Sequence, residues 1–454
     1  MKQLRIKLLN FLLFIRSGRK ISNELDKLKQ FEKHSIEKNL EIQKKNLEEI
    51  LLHSWKHVPY YTSELERASV IVNGKVVLEN FTKIPILNKE ILKRNFDLLI
   101  SKDNYLKKRK KYLNSSGGST GEPTKFYQDQ HYKIQELASK WLFFTYITDY
   151  PCKHITLWGS ERDIISRKFD LRKRIVNKLE RRLILNSFQM TQDNMGEYVK
   201  KINKFRPKII ESYVQPIYEL AIFIKNNDLE VFFPEGIITS AGTLYPEMEK
   251  LIKEVFQCSV LNRYGSREIG DVACSCERNK GLHVNIINNY IEILNDNLKP
   301  VKPGEIGQIY ITKLTNFTMP LIRYKIGDLG IPSENLFCEC RRGFPLIKFV
   351  EGREMSVFRT REGSIIPAEF FIHFIGVVFN EGIISKFQVI QNSFESITIK
   401  FVLEKPILFE KKKKQISETI RKVMGKDCEI IWEQVNEIEP LPSGKYLYTY
   451  SKLV

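Results

Sequence analysis

The chain has 454 residues, of which 42% are hydrophobic and 11% aromatic, as expected for a soluble globular protein of two or three domains. Its net charge of +19 favours acidic partners such as nucleotides, phosphates, nucleic acid or an anionic membrane. The seven cysteines are sparse and odd in number, which argues against a disulfide framework and favours a cytoplasmic protein.

The first twenty residues carry six basic side chains and no acid, around a short apolar stretch at 8–15. That stretch is too short to span a bilayer, and it lacks the cleavage site of a signal peptide. We therefore predict a basic amphipathic helix at 1–20. Two interpretations stay open: the helix packs on the domain, or it lies on an anionic membrane surface, peripheral to the inner face.

Periodicity predicts the architecture of the rest of the chain. A helical pattern covers 21–57, and short apolar runs at 155–160, 208–213, 235–241 and 258–266 alternate with amphipathic segments. This alternation predicts an α/β fold whose strand ends open into ligand-binding loops. After 353 the pattern changes to that of a small α+β domain. The predicted domains are therefore 21–352 and 353–454, after the N-terminal helix.

The stretch SSGGSTGEP at 115–123 crowds glycines and hydroxyl side chains into one short loop. Successive backbone amides in such a loop form an anion-binding nest, and the hydroxyls add donors. Lys125, just downstream, adds positive charge. The loop is neither a Walker A sequence nor a G-x-G-x-x-G fingerprint. Taken alone, it is either a phosphate-binding loop or a flexible surface turn.

Four more stretches follow in order: RYGSRE (263–268), RYKIGDL (323–329), EGR (351–353) and PSGK (442–445). Together with the glycine-rich loop they resemble the signature motifs of the adenylate-forming superfamily, which includes acyl–coenzyme A ligases. LWGSERD (157–163) and SGKYLYTYSKL (443–453) resemble its CapK-like branch, phenylacetate–coenzyme A ligase-like proteins of capsule and surface-polysaccharide clusters. The resemblance implies a large domain of α/β subdomains followed by a small mobile α+β lid.

The resemblance also implies a role for each motif residue. The β- and γ-phosphates of ATP would contact Ser115, Ser116, Gly117, Gly118, Ser119, Thr120 and Gly121, with Lys125 nearby. The nucleoside would lie against Ser240, Ala241, Gly242, Tyr264, Gly265 and Ser266. Glu268 would hold Mg²⁺, and Asp328 would bind the ribose hydroxyls. Arg353 would approach the ribose or phosphate near a hinge, and Lys445 would reach the bridging oxygen as pyrophosphate leaves.

The implied reaction activates a carboxylic acid. Attack of the carboxylate on the α-phosphate of ATP gives an acyl-adenylate and pyrophosphate, and the acyl group then passes to a thiol or an amine. Because both reactants are anions, the enzyme must neutralise charge with loop amides, Mg²⁺ and Lys445. The resemblance implies an AMP-producing ligase, with residues at strand ends as the acid pocket: Trp158, Ser160, Arg162 and Tyr213. Arg162 could hold a second anionic group or form a structural salt bridge.

The acceptor stays open at this point. An amine or amino sugar, carried on a lipid-linked glycan, would fit surface polysaccharide biosynthesis, whereas coenzyme A would fit an acyl- or aryl-CoA ligase of metabolism. The hinge also departs from the family pattern, because Ser356 stands where an acid is common. A nucleic-acid-binding protein is the remote alternative. The sequence lacks a helix-turn-helix, zinc-finger or RNA motif, so we predict no nucleic-acid partner.

Cysteine and histidine spacing indicates a metal site. Thiolates and imidazoles suit a four-coordinate structural Zn²⁺, and there are five candidates for its four positions. The resemblance favours Cys276, His283, Cys338 and Cys340, which leaves Cys274 as the spare. The alternative is a set of buried free thiols in a cytosolic protein.

Overall fold

The structure is a computed structural model that describes the chain apart from residues 1, 18, 116–123, 159–170, 188–193, 279, 354–357, 362–364, 367–370, 372–374, 376–382, 405, 407–408, 440–448 and 454. Its helices are α1 (Lys2–Ser17), α2 (Ile21–Glu32), α3 (Ile36–His57), α4 (Pro59–Arg67), α5 (Lys89–Arg94), α6 (Asn104–Lys107), α7 (Gln130–Phe144), α8 (Leu171–Glu180), α9 (Met195–Phe205), α10 (Val214–Asn226), α11 (Pro246–Phe256) and α12 (Phe409–Met424). Its strands are β1 (Ile71–Val72), β2 (Lys75–Val76), β3 (Lys111–Ser115), β4 (Lys125–Asp129), β5 (His154–Trp158), β6 (Arg182–Asn186), β7 (Ile209–Tyr213), β8 (Gly236–Ser240), β9 (Ser259–Ser266), β10 (Gly270–Ser275), β11 (Leu282–Val284), β12 (Asn289–Leu294), β13 (Gly307–Lys313), β14 (Tyr324–Pro332), β15 (Leu346–Arg353), β16 (Phe358–Arg359), β17 (Ile365–Ile366), β18 (Ile384–Ser393), β19 (Ser396–Leu403), β20 (Glu429–Gln434) and β21 (Thr449–Ser451).

The chain divides into two compact units. The first comprises residues 1–244 and 249–351, and the second comprises 245–248 and 352–454. The boundary between residues 351 and 352 lies one residue before the domain boundary predicted between 352 and 353. The lid role of the second unit stays a prediction.

The first unit is built on a mixed sheet with the strand order β12-β13-β14-β15-β11-β10-β9-β8-β7-β5-β6. Strands β6, β5, β7, β8 and β9 run parallel, and β9 turns back antiparallel into β10. The central strands β5, β7 and β8 are buried along nearly their whole length, as expected for parallel strands covered on both faces. The predicted α/β class is confirmed.

The N-terminal helices differ from the prediction at one point. The sequence predicted a single helix over 21–57, but the structure has two, because the helix ends at Glu32 and a new helix begins at Ile36. Ser35 caps α3 by accepting a hydrogen bond from the Lys38 backbone N–H at 3.3 Å. Helix α3 then ends before Pro59, where Val58 is extended as the residue before a proline prefers.

Helix α1 packs against α2, α7 and α8. Its Leu9 is buried, and its Asn10 side chain exchanges hydrogen bonds with Ser22 at 3.1 and 3.2 Å. The interpretation that the N-terminal helix packs on the domain therefore holds for this face. No helix among the described residues is both long and apolar enough to cross a membrane.

The second unit has a four-stranded sheet with the order β20-β19-β18-β21 in its described part. Helix α12 supplies Phe409, which stacks on Phe401 of β19 at 4.5 Å, and Trp432 of β20 meets both rings edge-on. The Trp432 indole N–H donates to Ser417 of α12 at 3.2 Å. This aromatic cluster holds the helix on the sheet and gives the predicted small α+β region.

Candidate active site

Three predicted site residues end neighbouring parallel strands at one edge of the main sheet. Trp158 ends β5, Tyr213 ends β7, and Ser240 ends β8 beside Tyr213 in the strand register. The Trp158 and Tyr213 rings lie 3.8 Å apart between centroids. They form an aromatic wall that suits an acid pocket. Ser160 and Arg162 lie outside the described residues.

The backbone after β8 turns sharply at the predicted adenine contact. Ala241 has a positive φ of 58°, and a Cβ added to Gly242 would lie 3.3 Å from the Cβ of Val214. Ser240 is buried just before this turn. The segment 240–242 can therefore present backbone groups, rather than bulky side chains, to a ligand.

The glycine-rich loop connects β3 to β4, which form an antiparallel ribbon. Ser115 pairs with Lys125 at the open end of this ribbon, where Ser115 is buried and Lys125 is exposed. The predicted loop residues Ser116, Gly117, Gly118, Ser119, Thr120 and Gly121 lie outside the described part of the chain. The structure thus fixes the two ends from which the loop emerges.

The end of β9 and the turn into β10 carry the RYGSRE stretch beside that ribbon. Gln128 of β4 donates from its side-chain amide to the Arg267 carbonyl at 2.9 Å. Glu268 is 7% exposed, and its backbone N–H donates to the Ser266 hydroxyl at 3.2 Å. The base of the glycine-rich loop and the predicted Mg²⁺ carboxylate are therefore held on adjoining segments.

Gly265 is required by a close backbone approach in this hairpin. A Cβ at this position would lie 2.4 Å from the Gly270 carbonyl oxygen of β10. Real Cβ atoms do not come so close to a backbone oxygen, so any side chain would push the two strands apart. The glycine keeps Tyr264 and Ser266 in register beside β10.

Tyr264 and Asp328, predicted to bind the nucleoside, meet directly. The Tyr264 hydroxyl donates to Asp328 Oδ2 at 2.9 Å across β9 and β14. Burial, followed by the Asp328 charge, raises the pKa of Tyr264 well above its ordinary value, so the phenol stays protonated and remains a donor. The sequence predicted both residues for one nucleoside, but it did not predict this hydrogen bond.

A buried ion network under the same strand edge was missed by sequence reasoning. Glu211 of β7 pairs with Lys140 of α7 at 2.7 Å and with Arg263 of β9 at 2.8 Å. Burial raises the pKa of Glu211, but the two cations outweigh it and hold that pKa below its usual range. The network fixes β7 against β9 next to Tyr213 and Tyr264. The sequence signal that could have indicated this network is Arg263, the first residue of RYGSRE.

Two predicted site residues, Arg353 and Lys445, and the hinge position Ser356 belong to the C-terminal part of the chain. Arg353 ends β15, but its side chain is not among those described. Lys445 and the hinge position Ser356 lie outside the described residues. Their roles stay predictions.

The predicted zinc ligands come together as one cluster. Cys276, His283, Cys338 and Cys340 place their ligand atoms within 4.8 Å of one another. Cys276 Sγ lies 3.6 Å from Cys338 Sγ, and Cys340 Sγ lies 3.2 Å from His283 Nε2. Cys274 is buried in β10 and is not a member of this cluster.

The His283 ring is oriented as a metal ligand would be. Its Nδ1 donates to the Phe344 carbonyl at 2.9 Å, which leaves Nε2 with the lone pair that faces the thiols. Burial lowers the pKa of His283 to about 4, so the ring is neutral near pH 7. Although burial raises the pKa of Cys340, hydrogen bonds from Arg342 outweigh it and lower that pKa. Three thiols and one neutral imidazole fit a tetrahedral zinc site.

Comparisons with known proteins show what the chain is similar to. Residues 358–452 match the CapK C-terminal domain family. The chain is 26% identical over 419 residues to Protein CapK of Staphylococcus aureus, covering 91% of this chain and 89% of that protein. It is 24% identical over 346 residues to a phenylacetate-coenzyme A ligase of Thermus thermophilus, covering 73% of this chain and 74% of that protein.

A solved structure has the same fold at low sequence identity. The crystal structure of 2-hydroxyisobutyryl-CoA ligase, in the postadenylation state with R3-HIB-AMP, matches with a TM-score of 0.73 and 16% identity. The match covers 93% of this chain and 92% of that one. The fold and the relatives define the class, which is that of adenylate-forming, AMP-producing ligases. Within this class, the chain is similar to Protein CapK over most of its length.

Proposed function

We propose that the protein joins a carboxylic acid to the α-phosphate of ATP at the carboxyl edge of the main sheet and releases pyrophosphate. The observation that carries this proposal is the hydrogen bond of 2.9 Å between Tyr264 and Asp328. This bond joins two motifs that are far apart in sequence, and together they would form one surface for a nucleoside. The Glu268 turn and the β3–β4 ribbon adjoin that surface in the same unit.

Each part of this edge would have one task. The Tyr264 ring would stack on adenine, and the Asp328 carboxylate would accept hydrogen bonds from the ribose. Residues 115–121 and Lys125 would hold the β- and γ-phosphates with backbone amides and positive charge. Mg²⁺, held by Glu268, would supply neutralising charge at the phosphates.

The aromatic wall of Trp158 and Tyr213 would hold the acid. The second unit would supply Lys445 during adenylation, and Arg353 would approach the ribose or phosphate near the hinge. The sequence shows no convincing Ser-His-Asp or Cys-His set, which agrees with a reaction between two bound substrates that requires no nucleophilic residue. Catalysis would then rest on positioning and on charge stabilisation.

The acceptor of the acyl group is a thiol or an amine. Coenzyme A is supported by the phenylacetate-coenzyme A ligase relative. The CapK relative, with its greater coverage and identity, supports the CapK-like branch that the motifs resemble, and an amino sugar is the acceptor that would fit the surface polysaccharide role of that branch. We favour the amine, with coenzyme A as the alternative.

The cysteine–histidine cluster would hold a structural Zn²⁺. The donor set, the distances and the Nδ1–H bond of His283 all fit that ion. The ion would tie the 338–340 segment to β11 and to Cys276, the residue after β10. Elemental analysis that finds no stoichiometric zinc in the purified protein would exclude this site.

Helix α1 would place the protein on an anionic membrane surface. One side of the helix is packed on the domain, whereas Leu4, Leu8, Phe11 and Phe14 are exposed by 43 to 71%. These apolar side chains lie on a segment with six basic residues and no acid. Apolar groups combined with positive charge match the interface of an anionic bilayer, where a lipid-linked acceptor would be found.

The experiment that tests the proposed activity is carboxylate-dependent exchange of labelled pyrophosphate into ATP. Aryl acids, short fatty acids, amino acids and uronic acids would be compared for the native protein and Lys445→Ala. We expect exchange with one class of acid and its loss in the variant. Absence of ATP binding to the native protein would overturn the proposal, whereas ATP binding without exchange would point to an acid outside the panel.

A further inference from the structure

A second cluster of metal-ligating side chains lies where α3 ends. Helix α3 carries His53 and His57, one helical turn apart, and Asp103 lies on the segment between α5 and α6. The ligand atoms of these three residues lie within 4.8 Å of one another, and all three side chains are half-buried. None of the adenylate-forming motifs includes them.

The hydrogen bonds of His53 decide which ring nitrogen is available. Its Nε2 lies 3.0 Å from the Phe317 carbonyl oxygen and 3.2 Å from the Ser101 hydroxyl. The carbonyl can only accept, whereas the hydroxyl can accept or donate, so both contacts are satisfied when Nε2 carries the proton and donates. In the neutral ring, Nδ1 then has a lone pair and lies 4.0 Å from Asp103 Oδ2. His53 Nδ1 and Asp103 Oδ2 are then both electron-pair donors, and a cation between them could bind to both. A carbonyl that accepts the other ring N–H is typical of metal-bound histidines.

The backbone around the cluster is fixed independently of any ion. The Lys102 N–H donates to the His57 carbonyl at 2.7 Å, and the Ser101 N–H donates to the Thr318 carbonyl at 3.0 Å. The Asp103 N–H donates to the Ser101 hydroxyl at 3.2 Å. The 101–103 segment is thereby held against the end of α3, so Asp103 and the two histidines are prepositioned.

The charges nearby partly oppose a cation. The positive charge of Arg109 acts on His53, but Arg109 also pairs with the buried Asp129 at 3.3 Å. A hard ion such as Mg²⁺ prefers oxygen ligands, whereas a pair of imidazoles suits zinc and its transition-metal neighbours. The ligand set therefore selects a borderline divalent ion rather than Mg²⁺ or Ca²⁺.

We propose that His53, His57 and Asp103 form a second binding site for a divalent transition metal ion such as Zn²⁺, with water completing the coordination. Metal–ligand distances of about 2.0–2.2 Å place tetrahedral ligands roughly 3.3 Å apart, so small side-chain rotations would close the site. The ion would tie α3 to the segment that leads through α6 into β3, the strand before the glycine-rich loop.

The test counts Zn²⁺ bound per chain by equilibrium dialysis of the full-length protein with zinc, followed by elemental analysis. We expect His57→Ala and Asp103→Asn each to lose one equivalent of zinc relative to the native protein. Asp103→Asn preserves side-chain volume, so circular dichroism should show an unchanged fold even if His57→Ala is destabilised. Lys56→Ala, an exposed position on the same helix, is the matched control and should keep native stoichiometry.

Cobalt separates this site from the cysteine cluster. A Co²⁺ titration should retain thiolate charge-transfer absorption in His57→Ala, while the visible bands of the nitrogen–oxygen site disappear. Native zinc stoichiometry in both folded variants would overturn the proposal. So would a native protein whose bound zinc and cobalt are fully accounted for by the thiolate site.

Discussion

At the scale of single residues, the Tyr264–Asp328 hydrogen bond separates two contributions to nucleotide binding. The carboxylate can accept from both ribose hydroxyls, whereas the tyrosine hydroxyl is already directed at Asp328. Hydrogen bonds to charged groups contribute about 1.5–3 kcal/mol, and neutral ones about 0.5–1.5 kcal/mol. Loss of the charge at position 328 should therefore cost more than loss of the phenol oxygen at 264.

We predict that Asp328→Asn raises the KM for ATP about 10- to 100-fold, while Tyr264→Phe raises it severalfold at most. The phenylalanine keeps the ring that would stack on adenine. Pyrophosphate exchange at varied ATP concentration measures both effects. Asp296→Asn, an exposed aspartate in the loop after β12, serves as the control. An unchanged KM in a folded Asp328→Asn protein would remove the ribose assignment.

At the scale of elements, the sequence identified the strands of the parallel sheet closely. Predicted runs at 208–213 and 235–241 correspond to β7 (Ile209–Tyr213) and β8 (Gly236–Ser240). Their apolar runs end in polar residues, so both the strand and its site-bearing end could be read from local pattern. The break between α2 and α3 was missed because residues 33–35 contain no Gly or Pro. Ser35 as a helix cap was the weaker signal that was present.

Contacts between segments that are far apart in sequence could not be predicted from the local sequence pattern. The cysteine–histidine cluster forms because β11 pairs with β15, which brings His283 opposite Leu346 and near Cys340. The spacing of cysteines suggested the ligands, but family resemblance was needed to choose among five. His53 and His57 carry no such signal in the sequence, since their partner Asp103 lies on a separate segment. The Glu211–Arg263 pair likewise depends on the adjacency of β7, β8 and β9.

Helix α1 gives a prediction at this scale. Leu8→Ser combined with Phe11→Ser should reduce binding to anionic phosphatidylglycerol vesicles at least tenfold, because each apolar side chain contributes about 1.5–3 kcal/mol when buried. Both positions are exposed, so the fold should persist. Vesicle co-sedimentation measures the effect, and Val72→Ser, at an exposed site in β1, is the control.

The charge contribution of α1 can be checked in the same assay. Binding should fall as salt is raised and should be weak on neutral phosphatidylcholine vesicles. Equal sedimentation of the native protein and the double variant would contradict a membrane role for this face. The exposed apolar side chains would then serve another partner.

At the scale of the whole molecule, the proposed chemistry is divided between two units. Tyr264, Glu268 and Asp328 belong to the first unit, whereas Lys445 belongs to the second. The sequence indicated this division through a change in pattern near 353, and it indicated Lys445 only through motif order. The pattern of apolar and polar residues within each unit could not show what part Lys445 takes in a reaction at Tyr264, Glu268 and Asp328. Measuring acyl-adenylate formation and acyl transfer separately would determine the role of Lys445.

We therefore predict that Lys445→Ala affects the two half-reactions unequally. Loss of a positive charge that stabilises the departing pyrophosphate should lower acyl-adenylate formation by about 10²–10³-fold. Transfer of the acyl group from a supplied acyl-adenylate to its acceptor should change only a few fold, because pyrophosphate plays no part in that step. Lys452→Ala is the matched control. Lys452 is an exposed lysine of the same unit, and its ammonium group donates a hydrogen bond to Asn392. Equal losses in both half-reactions would show that Lys445 supports the fold or both steps, and the assignment of this lysine to adenylation would fail.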